Sequence, residues 1–495
     1  MPKIQLDPLG VVIELATGAS INDALFAHGV EFPCGAKGRC RGCRVRVTEG
    51  AAPMSAADQK VFSDEELATG WRLACTMRAT SDLRLQLAAY TAPVLADETA
   101  FTFTPRDGLG IAIDLGTTTL VAQLLDLSTG AVLAVRSGLN PQAVHGADLM
   151  SRLDKATQEG GLDELAVQIH QALAELIAGF ADERHPLERV QRAVVVGNTA
   201  MHHLFARRNC DSLARYPFES SEMDLSEHRA DELGWPLPPA TPVFMLPDLG
   251  GYVGSDLLAG ILATRLHESE HPVALLDLGT NGEVVLGDRH GIQVTSTAAG
   301  PAFEGAGIQQ GMRASTGAIH ACSVHGGVPS YQVIGGGAAR GICGSGLVDI
   351  VATCLDLGLV EASGRMAHGV KTIPLRDEVV LDQTDIRQLQ LAKGAIAGGL
   401  AVLLARRGLE PKDLGRVYLA GAFGNYVNQS AGCRIGLLTA PPEHITTAGN
   451  TALLGAKLAL FEDDLAFTAI RSLVSHVSLK ADMEFQDRYV EAMSF

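Results

Sequence analysis

Two stretches decide the fold of most of this chain: "IAIDLGTTTLVAQLLDLSTGAVLAV" at 111–135 and "VALLDLGTNGEVVLGDRHGIQVT" at 273–295. In both, an apolar strand ends in Asp-Leu-Gly-Thr, turns, and returns as a second strand with a glycine at the next turn. Each copy is followed by a second shared pattern, "RAVVVGNTAMHHLF" (192–205) and "RVYLAGAFGNYVN" (416–428). Both read as a buried strand, a glycine at its end, and the start of a helix. Helical stretches such as "LDELAVQIHQALAELIAGFADE" (162–183) separate them. Order and flanking pattern repeat together, which predicts two α/β halves of one plan, 109–270 and 271–495, with a ligand between them.

The repeated turns are Asp114-Leu115-Gly116-Thr117-Thr118-Thr119 and Asp277-Leu278-Gly279-Thr280-Asn281-Gly282-Glu283. A glycine at such a turn lets backbone N–H groups face a phosphate. Thr and Asn add donors, and an Asp can hold the water shell of Mg2+. The bland alternative is a pair of structural turns in a duplicated core. Neither a G-x-x-x-x-G-K-[ST] loop nor a G-x-G-x-x-G between strand and helix occurs, so this is not a P-loop or a dinucleotide fingerprint.

Composition narrows the class. The 495 residues are 47% apolar and 19% charged, which is ordinary for a globular chain with large cores. A net charge of −17 argues against a nucleic-acid partner, which would need a basic face. The longest apolar run, "AIAGGLAVLLA" at 395–405, has the length of a core helix, not of a membrane span. The start, "MPKIQLDPLG", has no apolar signal region. These features predict a cytoplasmic protein with no membrane partner.

The nine cysteines are crowded toward one end, and that end is a different unit. "FPCGAKGRCRGC" (32–43) puts Cys34, Cys40 and Cys43 on a Gly/Arg loop, and Cys75 follows. A strand hairpin turning near Pro8–Gly10, a short helix between Ser20 and Gly29, the strand "CRVRVTEG", the helical "SDEELATG" and a closing strand at 83–87 complete residues 1–91. A linker follows at 92–108. Glycines 35, 38 and 42 can turn backbone amides toward the sulfurs. Residues 1–92 carry ten Lys/Arg and ten Asp/Glu, so this unit is neutral within an acidic chain. Zinc and buried free thiols are the competing readings, although a zinc site usually shows two CxxC-type pairs and only Cys40–Cys43 forms one. Cys210, Cys322, Cys343, Cys354 and Cys433 read as core thiols, and His202 and His203 as packing or capping residues.

Residues 1–91 resemble the α+β, β-grasp 2Fe–2S ferredoxins, and the cysteine spacing is similar to their adrenodoxin-like branch. That resemblance implies Cys34, Cys40, Cys43 and Cys75 as cluster ligands. The paired DLGT hairpins with "YLAGAFGNYVN" resemble the phosphate and adenosine motifs of the sugar kinase–heat-shock chaperone–actin ATPase superfamily, an α/β duplicated ribonuclease-H-like fold. It implies Asp114 and Asp277 for Mg2+ and its waters. Gly116, Thr117, Thr118, Gly279, Thr280 and Asn281 would hold the phosphates of ATP, Gly421 and Ala422 would approach the adenosine, and Glu283 would orient the attacking water.

The two units together resemble the reductive activators of corrinoid-dependent proteins. "LNPQAVHGADLMSRL" (139–153), "VVVGNTAMHHLF" (194–205), "AAGPAFEGAGIQQGMRASTGAI" (298–319), "GICGSGLVDI" (341–350) and "LAGAFGNYVN" (419–428) carry that resemblance. It implies an ATP-hydrolysing iron–sulfur activase that returns an electron to an inactive Co(II) corrinoid and restores Co(I). Its partners would be a corrinoid protein or cobalamin-dependent methyltransferase, an upstream reductase as electron donor, and a second copy in a homodimer. Two departures stand out: the span between ferredoxin and ATPase is short, and no C-terminal CxxCxxC run is present. There is also no D-x-H-x-x-G corrinoid loop, so the chain is not expected to carry its own cobalamin. Alternatives from other classes are an activator of the 2-hydroxyacyl-CoA dehydratase type, for which Cys343 would hold a shared cluster, a redox-regulated kinase of a small metabolite, and an actin-like assembly protein.

Overall fold

The structure, a computed structural model, describes residues 1–7, 11–26, 30, 38, 43–87, 101–146, 149–181, 185–216, 218–279, 281–314 and 317–495. The turn at 8–10, Gly29, Gly35, Gly42 and the first part of the expected linker lie outside these residues.

The N-terminal unit is a mixed five-stranded sheet. β1 (Lys3–Asp7) and β2 (Val11–Glu14) pair antiparallel; β3 (Arg44–Glu49), β4 (Trp71–Leu73) and β5 (Leu83–Leu87) complete the order β2-β1-β5-β3-β4. β1 lies parallel to β5, which places the first and last strands side by side at the centre. Alternation along β1 and β5 buries Ile4, Leu6, Leu83, Leu85 and Leu87 on one face. Helix α1 (Asn22–Phe26) begins after Ser20, whose hydroxyl accepts from Asn22 N–H. Two short helices follow, α2 (Ala56–Val61) and α3 (Asp64–Ala68). Each opens with a reciprocal capping box, Ser55 with Asp58 and Ser63 with Glu66. The sequence reading had only the second of them. β4 was also missed, being three residues long.

The first half of the body carries β6 (Leu109–Leu115), β7 (Thr119–Asp126), β8 (Val132–Leu139), α4 (Leu149–Ala156), α5 (Gly161–Ala178), β9 (Val190–Val196), α6 (Thr199–Ala206), α7 (Asp211–Ala214), β10 (Ser226–Arg229), β11 (Pro242–Met245) and α8 (Ser255–Thr264). The second carries β12 (Val273–Leu278), β13 (Gly282–Asp288), β14 (Gly291–Thr297), β15 (Ala318–His325), β16 (Val328–Val333), β17 (Gly341–Ile342), α9 (Gly344–Asp356), β18 (Thr372–Pro374), β19 (Val380–Asp382), α10 (Gln383–Arg406), β20 (Arg416–Ala420), α11 (Gly421–Gly424), α12 (Gln429–Arg434), β21 (Ile445–Gly449), α13 (Thr451–Ala459), α14 (Asp464–Leu473), β22 (Val474–His476) and α15 (Met483–Ala492).

The sheets run β10-β11-β9-β6-β7-β8 and β21-β20-β12-β13-β14-β22. Five strands correspond in order and direction. β6 is parallel to β9 and antiparallel to β7, and β12 is parallel to β20 and antiparallel to β13. The duplication seen in the sequence is thus a duplication of topology. Helices α8 and α13 pack against each other between the sheets. The core there draws Ala112, Val121 and Val194 from one half and Leu275, Val285 and Leu453 from the other. One apolar core spans both halves, so at this level they hold together without a ligand.

α10 alone among the described helices is long and apolar enough to cross a bilayer, and 78% of its apolar window is buried within the second half. Residues 101–108, read as linker, lie on the base of the body, where the rings of Phe101 and Phe103 pack on Phe461.

Candidate functional site

Both DLGT turns lie at the ends of the central strands β6 and β12, where the two halves meet. In the first, Gly116 N–H closes the turn on Thr119 O at 3.1 Å. A side chain at 116 would put its Cβ 2.5 Å from that same oxygen, so only glycine fits. Asparagines brace this turn. Asn140, fully buried, donates from Nδ2 to Gly116 O at 2.9 Å and from its backbone to Thr118 O at 2.9 Å. Asn198, the N-cap of α6, donates to Thr117 Oγ1 at 2.9 Å. Asn450, the N-cap of α13 in the other half, donates to Asp114 Oδ2 at 3.0 Å.

The second turn is built differently. Asp277 pairs with Glu283 across the β12–β13 hairpin and with Ala420 on β20. The next residue, Gly421, has φ +80, and a Cβ there would stand 2.6 Å from Asp277 Oδ1. Backbone and carboxylate therefore touch at the start of α11. Ser296, opposite Glu283, hydrogen-bonds its carboxylate.

Four carboxylates converge here. Burial pushes Asp114 up to about 6, with the Asn450 hydrogen bond opposing the shift. Burial, then the charge of Asp114, pushes Asp277 up to about 7. Asp256, in the first turn of α8, lies well above the usual carboxylate range through burial and the charge of Asp277, and Glu283 through burial and the charge of Asp256. Such a set is electrostatically unsatisfied, and a hard divalent cation is the chemical answer to it. Among the described residues no three His, Cys, Asp or Glu side chains are close enough to hold a metal directly.

Beside these groups opens a cavity of about 550 Å3. One wall is Thr118, Thr119 and Leu139; the other includes Gly279, Phe303, Ser345, Gly421, Phe423 and Tyr426. Phe303 and Phe423 stack at 4.4 Å between ring centroids, and Tyr426 is 59% exposed at the rim. Of the expected nucleotide residues, Thr118, Gly279 and Gly421 line this cavity, while Asp114, Gly116, Thr117, Asp277, Asn281 and Glu283 belong to the two hairpins beside it. Thr280 lies outside the described residues, and Ala422 is described by its backbone alone.

The second centre lies on the N-terminal unit. Cys43 immediately precedes β3 at 1% exposure, and its carbonyl accepts from Ala74 N–H at 2.9 Å. That bond places Cys75, in the short turn Ala74–Thr76, beside it. The Cys75 thiol is drawn down to about 7, first by a hydrogen bond with Cys43 and also by the Gly38 amide, against the burial that would raise it. Gly38 reaches this position with φ +65. Two sulfurs in contact, with a loop amide on one of them and an apolar floor of Leu73, Ala74 and Met77, fit a thiolate-held cluster. Cys34 and Cys40 lie outside the described residues.

Asn140, Asn198, Asn450 and Asp256 were missed in the sequence. A signal was present: "GNTA" occurs at 197–200 and again at 449–452, and both asparagines cap a helix and reach the first turn. The tempting histidines are core residues. His202 bridges Asp248 at 2.8 Å and Ser226 at 2.7 Å, and His203 bridges Asn209 O and Ser220. Cys210, Cys322 and Cys354 are buried, and burial pushes the Cys210 and Cys354 thiols up to about 12. Cys433 is half-buried, and Cys343 is buried at the N-cap of α9 with its residue lining the cleft.

Comparison with known proteins adds the family. Residues 4–80 match the "2Fe-2S iron-sulfur cluster binding domain", residues 109–269 the "RACo middle region", and residues 271–495 the "C-terminal domain of RACo the ASKHA domain". The corrinoid activation enzyme RamQ of Eubacterium limosum is 34% identical over 412 residues, covering 77% of this chain and 69% of that protein. The chain belongs to the family of corrinoid-activating enzymes. A second member, the Co(II) methylated amine-specific corrinoid protein reductase of Methanosarcina barkeri, is 29% identical over 428 residues, covering 78% and 77%. In structure, the reductive activator for corrinoid, iron–sulfur protein aligns over 100% of this chain and 98% of its own, with TM-score 0.69 and 26% identity. As in the family, an iron–sulfur domain and an ATP-binding domain share one chain.

Proposed function

We propose that this protein is an ATP-dependent reductive activator that delivers one electron to the inactive Co(II) corrinoid of a partner protein and restores Co(I). The observation that carries the reading is the pairing, in one chain, of two contacting cysteine sulfurs on a ferredoxin sheet with a carboxylate-rich cleft between duplicated halves. Cys34, Cys40, Cys43 and Cys75 would hold a 2Fe–2S cluster, which supplies a one-electron carrier. Asp114 and Asp277 would hold the waters of Mg2+, and Gly116, Thr117, Thr118, Gly279, Thr280 and Asn281 the phosphates. Gly421 and Ala422 would lie against the adenosine, and Glu283 would orient the attacking water.

Energetics explain why an electron carrier needs an ATPase. A one-electron step costs about 1.4 kcal/mol per ~59 mV, so a gap of ~200 mV costs roughly 5 kcal/mol. Complex formation that favours Co(I), followed by nucleotide-driven parting of the complex, would offset that cost. The partner is a corrinoid protein or cobalamin-dependent methyltransferase, and a separate reductase recharges the cluster. We also propose a cytoplasmic homodimer with no membrane partner, and the net charge of −17 speaks against a nucleic-acid partner.

The test is anaerobic. Reduced protein is mixed with a Co(II) corrinoid protein, and Co(I) absorbance is followed with and without Mg–ATP. ATP-dependent Co(I) formation that is lost in Cys43→Ala is expected. No Co(I) under any nucleotide, with the cluster intact, would move the assignment to dehydratase-type acceptors or to a small-metabolite kinase.

A further inference from the structure

The ferredoxin unit rests on both lips of the cleft. On the first half, Leu139, Ala143 and Val144 pack against the ferredoxin core. They belong to the end of β8 and to the 3-10 turn Pro141–His145, which touches α1. On the second half, Arg340 Nη2 donates to Leu87 O, the last residue of β5, at 3.0 Å.

Each seat is continuous with the cleft. Leu139 itself lines the cavity. Asn140, the next residue, is bonded to Gly116 and Thr118 of the first phosphate turn and caps the turn that carries Ala143 and Val144. On the other lip, Arg340 leads directly into β17 and then to Cys343, Gly344 and Ser345 in the cavity wall. Inside the ferredoxin unit, α1 also touches the turn that bears Cys75. From the first phosphate turn to a cluster cysteine there are thus two intervening elements, Pro141–His145 and α1.

The geometry points to Asn140 and Arg340 as positioning residues that couple nucleotide occupancy to the seat of the ferredoxin unit. A ligand that bonds both DLGT turns fixes the separation of the halves, because each half supplies one turn. The ferredoxin unit bridges the same two halves from outside, so a change in their separation must shift or release at least one of its seats. Binding at either place then alters the free energy of the other, and by linkage the coupling is reciprocal. The two arrangements that both sites bias are the separations of the two halves. This inference rests on the nucleotide reading above and adds to it the route by which ATP reaches the electron-carrying unit.

The test is amide hydrogen exchange on the full-length, cluster-loaded protein, with and without a non-hydrolysable ATP analogue and Mg2+. Nucleotide is expected to change exchange in 20–26, 71–78 and 83–87 by about fivefold or more, the lower end of ordinary allosteric coupling. Arg340→Gln should remove the response of 83–87, and Val144→Ala should weaken that of 20–26. Both variants should change nucleotide affinity by the factor lost from the exchange response. Protection of 114–119 and 277–282 with no change in the ferredoxin segments would overturn the coupling and leave the nucleotide site standing. No protection of those turns at saturating nucleotide would overturn the nucleotide reading, and the coupling with it.

Discussion

The two DLGT turns share a sequence and a place in the fold, yet the structure treats them oppositely. Around the first, Asn140, Asn198 and Asn450 donate to its carbonyls, its Thr117 hydroxyl and its Asp114 carboxylate. The second is surrounded by Asp256 and Glu283, and its Asp277 is held above the usual carboxylate range by burial and by Asp114. The first turn is organised before any ligand arrives. The second is poised to respond to a cation, since a positive ion removes both the burial cost and the repulsion. Two turns of one sequence thus differ in what surrounds them: amide donors at the first and carboxylates at the second.

The sharpest way to break this comparison is to neutralise the responsive turn. Asp277→Asn should lower ATP turnover and ATP-dependent Co(I) formation by about 10²–10³-fold, the usual cost of removing one well-placed electrostatic group. The free protein should become more resistant to urea, because a partly buried charge repelled by Asp114 is gone. Steady-state turnover and urea unfolding of the same preparation check both halves. A variant that loses turnover and also unfolds more readily would show that Asp277 is structural, not electrostatic. Gly421→Ala comes next. Its Cβ would meet Asp277 Oδ1 at 2.6 Å from a backbone with φ +80, so a destabilisation of about 2 kcal/mol is expected, read as a lowered unfolding midpoint.

The turns themselves were legible because all their chemistry lies within a few adjacent residues. The same is true of the two strand–turn–strand hairpins that carry them, where apolar runs and glycines mark each element locally. What stayed hidden lies at long separation. Asn450 reaches Asp114 across 336 positions, and Asn198 reaches Thr117 across 81. Each also caps a helix, a sufficient local reason for its presence, so its second role leaves no local trace. Asp256 reads as an ordinary acidic residue in a helix's first turn, and its nearness to Asp277 and Glu283 comes only from the tertiary fold. α2 was missed for a simpler reason: its Ser55–Asp58 box lacks the apolar run that usually follows a cap.

Titration sharpens the comparison next. Asp114 at about 6 and Asp277 at about 7 both lie above the 3.8 of a free carboxyl. Between about pH 4 and 7 the folded protein therefore binds more protons than the unfolded chain, and stability falls as pH rises through that window. Without Mg2+ or nucleotide, wild type should lose about 1–2 kcal/mol more than Asp277→Asn between pH 5 and 7.5. The larger share belongs to Asp277 because Asn450 already relieves Asp114. Urea midpoints at the two pH values measure it, and an equal loss in both proteins would remove Asp277 as the responsive group.

The smallest expected effect probes the organised turn. Asn198→Ala removes one donor to Thr117 and one helix cap, since its Oδ1 also accepts from Met201 N–H at 3.0 Å. A cap is worth about 1 kcal/mol, and a neutral hydrogen bond about the same. Asn198→Asp keeps the cap but replaces the amide donor by an anionic acceptor beside Thr117, so the pair of variants separates the cap from the contact to the turn. If the first turn is organised in advance, Asn198→Asp should weaken nucleotide binding by about fivefold to tenfold while leaving thermal stability close to wild type. Equal affinity in Asn198→Asp and wild type would mean that Thr117 needs no brace, and the contrast between the two turns would reduce to charge alone.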